Sequence, residues 1–147
     1  MQRFRFRLEA LLHFRKLQTE QAQARLGEAT VEWQKQSQTL QSLQSEEREA
    51  AVYFRQLQQT PVTADDFVAF HAYKQMLKNK ISCQTEAVAT AAAQREECRQ
   101  QLAETLKRQK LVEKLKEKRL QQYNEELLRL EQKELDEIGL QLHARGE

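Results

Sequence analysis

The chain has 147 residues, a net charge of +2 from 24 Lys and Arg against 22 Asp and Glu, and a mean hydropathy of -0.84. With 39% hydrophobic residues, 7% aromatics, three glycines and one proline, it lacks the material for a three-dimensional core and fits long solvated helices instead. The balanced charge excludes a strongly basic nucleic-acid binder, and no stretch approaches the ~20 apolar residues of a membrane span.

The N-terminal segment holds Arg3, Arg5 and Arg7 interleaved with Phe4 and Phe6. It bears some likeness to a transit peptide, but the helical pattern runs on from Leu8 with no processing site. Stepping by fours and threes from Leu8 reaches Leu12, Arg15, Thr19, Ala22, Leu26, Ala29, Trp33, Gln36, Leu40, Leu43, Glu47, Ala50, Phe54 and Leu57, and 11 of these 15 positions are apolar. That is a heptad seam with polar breaks, predicting a first helix over about residues 5–58.

Pro61 interrupts the pattern within a turn predicted over about residues 59–64, and Thr63 followed by Asp66 makes a T-x-x-D start signal for a second helix. From Phe67 the apolar stripe passes through Phe70, Leu77, Ile81, Val88, Ala91, Cys98 and Leu102, then shifts into Leu106, Leu111 and Leu115. A helix over about residues 65–142 is expected. The fold is therefore read as all-α: one domain over 1–147 in which two long helices form an antiparallel coiled-coil hairpin and the second overhangs.

If the chain reverses at Pro61, residue i faces roughly 122 minus i, which sets Trp33 opposite the alanine-rich residues 87–93. The same register exhausts the first helix near residue 118 and leaves about 25 residues, or ~37 Å, of the second without an intrachain partner. Residues 107–119 carry seven Lys or Arg, and residues 120–137 carry six acids against Arg129 and Lys133. The basic run lacks interleaved aromatics and adjoins compensating acids, so no nucleic-acid partner is expected.

Nothing in the chain points to catalysis or to a cofactor. His13, His71 and His143 are scattered, no glycine-rich phosphate loop occurs, and no Cys/His spacing suits a metal. Cys83 and Cys98 are 15 positions apart on one helix, ~22 Å by helical rise, beyond disulfide reach.

Two surfaces remain as candidates for partner binding. Leu120, Tyr123, Leu127 and Leu130 keep seam spacing where no intrachain seam is left, extended by Leu135, Ile138 and Leu142; either a partner or a second copy in a homodimer would cover them. Past the turn, Phe67, Phe70, Tyr73 and Leu77 cluster within three helical turns. Phe67 and Phe70 are expected to close the tip against Phe54 and Leu57, while Tyr73 lies off the seam as a docking anchor; the alternative is that all four are core.

The segments Phe4-Arg5-Phe6-Arg7-Leu8-Glu9, Leu11-Leu12, Arg15-Lys16, Leu115-Lys116-Glu117-Lys118 and Glu131-Gln132-Lys133-Glu134-Leu135-Asp136-Glu137 resemble the flagellar FliJ family. The resemblance implies a non-enzymatic cytoplasmic component of the bacterial flagellar type III protein export apparatus, similar in shape to the coiled-coil stalk of the rotary ATP synthase gamma subunit. It implies association with the FliI export ATPase ring, the FlhA export gate and export chaperones, peripherally at the inner face of the cell membrane at the flagellar base. Carried onto this chain, Phe4, Phe6, Leu120, Tyr123, Leu127 and Leu130 are the ATPase-end candidates, and Phe70, Tyr73 and Leu77 the gate candidates. A generic self-associating coiled-coil adaptor is the alternative.

Overall fold

The computed structural model describes residues 2–146, which form two helices and no strand: α1, Glu9–Leu57, of 49 residues, and α2, Ala64–Gly146, of 83. The chain divides into two compact units, Met1–Glu20 with Ala103–Glu147, and Gln21–Leu102. Each contains part of both helices packed antiparallel.

In Gln21–Leu102, the ring of Phe54 stacks on that of Phe70 at 3.9 Å and 9° and meets Phe67 tilted at 5.9 Å. Farther from the turn, Gln84 Nε2 donates to the Gln36 carbonyl oxygen at 2.8 Å and to Gln36 Oε1 at 2.7 Å, and Gln36 Nε2 in turn donates to Glu32 at 2.7 Å. A polar break in the stripe thus becomes a satisfied cross-helix pair, which favours one register over a slipped one. Both the Phe54–Phe70 and Gln36–Gln84 pairs lie within two positions of the mirror rule. Trp33 is half-buried, with the Arg95 guanidinium carbon 4.8 Å from its ring centre, a cation–π contact that the register rule did not foresee.

The turn is built without any residue at positive φ. The Thr60 hydroxyl and amide both donate to the Leu57 carbonyl oxygen, at 2.8 and 3.0 Å, satisfying an orphan acceptor at the end of α1. On the far side, the Asp66 amide donates to the Thr63 hydroxyl at 3.2 Å and the Thr63 amide to the Asp66 carboxylate at 3.4 Å, the reciprocal pairing of a capping box.

In Met1–Glu20 with Ala103–Glu147, Leu12 is buried and Lys116 Nζ donates to Glu9 across the helix pair, with a closest approach of 3.0 Å. Thr19, buried despite its hydroxyl, donates to the Arg15 carbonyl at 3.1 Å, so the polar break carries no unsatisfied group.

Three expectations are corrected. Helix α1 starts at Glu9, not near residue 5, because Phe4, Phe6 and Leu8 alternate with Arg5 and Arg7 at period two, which suits extended backbone. The second helix continues past 142 to Gly146. Leu111 is 67% exposed; the seam there passes through half-buried Thr105, Leu106, Gln109, Val112 and Leu115, so the stripe rotates off Leu111.

The most enclosed side chain is Leu77, at 1% exposure. Leu77→Ala is expected to cost about 2 to 4 kcal/mol in thermal or urea unfolding, whereas Leu111→Ala changes stability by less than about 0.5. Trp33→Ala should also lower the melting temperature, and an unchanged melt would speak against the register.

Candidate functional sites: the tip groove and the aromatic corner

The first site lies near the turn, in Gln21–Leu102. Capping by Thr63 and Asp66 starts α2 so that Phe70 falls on the seam, half-buried against Phe54. Tyr73, three positions on, is 38% exposed and shares a groove with Tyr53, Leu57, Pro61, Val62 and Phe70. Glu46, Glu49 and Asp66 also line it, giving the groove an acidic rim. Leu77 does not reach this surface; it is interior packing. Tyr53, an exposed ring beside Tyr73's groove, was missed in the sequence because it falls off the heptad beside Phe54.

The second site lies in the other unit. Tyr123 of α2 donates its hydroxyl hydrogen to the Gln2 carbonyl oxygen at 2.8 Å, and its ring lies 5.5 Å from that of Phe4, tilted by 52°. Phe4 and Phe6 are half-buried while Arg3, Arg5 and Arg7 are exposed, as alternation along an extended segment requires. Phe4, Phe6, Leu8, Leu115 and Tyr123 line a cleft edged by Arg5, Arg7, Arg119 and Glu126. Three candidates, Phe4, Phe6 and Tyr123, are therefore brought together. Leu127 is half-buried, and Leu120 and Leu130 are exposed.

Beyond Leu127, every described residue is exposed, including Leu128, Leu130, Leu135, Ile138, Leu140 and Leu142. Leu128 and Leu140 extend the apolar surface beyond the positions that seam spacing picked out.

The Glu96 carboxylate is held below its usual value chiefly by the hydrogen bond from the Arg99 guanidinium, at 2.6 to 2.8 Å on an exposed helix face. Among the described residues no cluster of His, Cys, Asp and Glu could hold a metal, and no helix is long and apolar enough to cross a membrane. Cys83 is exposed and Cys98 buried, both free.

A family model described as flagellar FliJ protein matches residues 4–147. The chain belongs to the FliJ family. It is thus a coiled-coil component of the flagellar type III export apparatus. Its structure is similar to that of a YscO homologue, CT670, from Chlamydia trachomatis, with a TM-score of 0.65 over 96% of each chain. At 22% identity that likeness speaks for the fold. No match was found among curated proteins.

The docked N-terminal segment has a direct check. Phe4→Ala should speed trypsin cleavage after Arg5 and Arg7 severalfold, read by mass spectrometry, without a matching drop in helical content.

Proposed function

We propose that this chain couples the FliI-type export ATPase ring to the FlhA export gate and assists export chaperones, without chemistry of its own. It would act in the cytoplasm, peripherally at the inner face of the membrane at the flagellar base. The observation that carries this reading is the exposed apolar set from Leu128 to Leu142 at the end of α2, in which Leu128, Leu135 and Leu142 share one face, since unpartnered apolar surface of this kind marks a contact. With Leu120, Leu130 and the corner of Phe4, Phe6, Tyr123 and Leu127, it forms the proposed ATPase contact.

Family membership supports the assignment to export, and the two separate aromatic and apolar surfaces, one in each unit, support two different partners. The gate contact is assigned to Tyr73 and the open edge of Phe70, with Tyr53 beside them; the enclosure of Leu77 limits it to a supporting role. Aromatic anchors of this sort give large contact area at little entropic cost.

The competing reading is self-association through the tail. Six acids against Arg129 and Lys133 over residues 120–137 make two such tails repel when aligned side by side, which favours a different, more basic partner.

A chain truncated after Leu127 keeps Tyr123 and its contacts with Gln2 and Phe4 while removing the exposed tail. It is expected to lose pull-down of the ATPase while retaining the FlhA cytoplasmic domain. Tyr73→Ala should do the reverse, weakening gate binding by about tenfold. A truncated chain that still captures the ATPase, or a stable homodimer that ignores it, would reject the assignment.

A further inference from the structure

Residues 2–8 pack against the α2 surface that the tail reading assigns to the ATPase. Phe4 lies on Tyr123, and the Tyr123 hydroxyl holds the Gln2 carbonyl oxygen. Sequence spacing alone would leave Tyr123 as open to solvent as Leu120 and Leu130; it is half-buried instead. The segment is not helical, and its backbone joins α1 through the Glu9 amide, which donates to the Phe6 carbonyl oxygen at 3.2 Å, and the Leu12 amide, which donates to the Leu8 carbonyl oxygen at 2.9 Å. It is a strap, non-helical over residues 2–6 and turning at 7–8, held to α2 by the Phe4–Tyr123 contact, one exposed hydrogen bond and half-buried Phe6 in the same cleft.

We propose that residues 2–8 form a latch on the partner surface: closed, the strap occupies Tyr123 with its own Phe4, and partner binding requires it to lift. This rests on the reading of the tail as the ATPase contact. The partner segment that replaces the strap would need apolar or aromatic side chains toward the Tyr123 ring, whose hydroxyl, exposed already, would be left to water. Once lifted, Phe4 and Phe6 are free to pack on the incoming partner, so the same side chains serve as latch and as contact.

A closed latch taxes affinity, because apparent binding falls with the fraction of molecules that are open. The Tyr123 hydroxyl can be removed without its ring. Tyr123→Phe loses the bond to Gln2 and keeps the stacking surface; as one solvent-exposed hydrogen bond, it should raise the open fraction and tighten ATPase binding by about two- to fivefold.

The strap can be watched by fluorine NMR on the full chain with Phe4 replaced by 4-fluorophenylalanine. Tyr123→Ala supplies the undocked reference position. The expected results are a docked resonance in the parent chain, its loss on titration with the export ATPase, and tighter binding by Tyr123→Phe in the same titration. If truncation after Leu127 abolishes ATPase binding but the docked resonance persists in the full-length complex, or Tyr123→Phe binds no tighter, the latch is overturned and the tail reading stands. If that truncation leaves ATPase binding intact, both fall together.

Discussion

Everything in this molecule depends on a seam only one side chain wide. Two antiparallel helices can bury the stripe where they touch and nothing else, and among the described residues the side chains below about a tenth exposed reduce to Leu12, Thr19, Ala22, Leu77, Ala91 and Cys98. Such a seam leaves most side chains along both helices in contact with solvent. What it can do is hold two long surfaces in a set register. The Gln36–Gln84 pair and the Phe54–Phe70 stack contribute to that register in different currencies, directional hydrogen bonding in one place and shape in the other.

The two candidate sites are departures from the seam. Near the turn, the stripe has to accommodate a change of direction, and the aromatic side chains gathered there exceed what the closure can bury: Phe54 and Phe70 are consumed by stacking, while Tyr53, Phe67 and Tyr73 remain exposed. At the other site, α2 has no more of α1 to pair with, and an extended strap takes over as a partial substitute at Tyr123. Past Leu127 even that is gone, and the helix continues with apolar residues facing water. Function in an export component of this family is read most directly from those leftovers, since an apolar face left wet carries a free-energy cost that only a partner removes.

Much of this was legible beforehand. Of the heptad positions from Leu8 to Leu57, only Leu8 is exposed, because a stripe repeated every 3.5 residues has just one face on which to meet a neighbour. The T-x-x-D signal became a capping box with both hydrogen bonds made, since capping is local chemistry that depends on four consecutive residues. Leu106 and Leu115 fall on the seam as their spacing implies, but Leu111 between them does not: there either of two adjacent faces satisfies the count, and only the position of the opposing helix selects one. Tyr53 and Trp33 illustrate a different blind spot. A heptad count labels a ring as on or off the seam and says nothing of the groove that Tyr53 lines or of the Arg95 guanidinium over Trp33.

Sequence alone determined that the chain is two helices, where it turns, which stripe α1 buries and that α2 outlasts α1, because periodicity, capping and chain length are local or additive properties. Tertiary structure decided that Phe4 lies on Tyr123, that Leu77 is sealed inside while Tyr73 looks out, and that Leu111 faces water. Those outcomes depend on which atoms two distant segments offer each other at one point in space. No pattern along a single strand of sequence encodes that meeting; it exists only once the helices have packed.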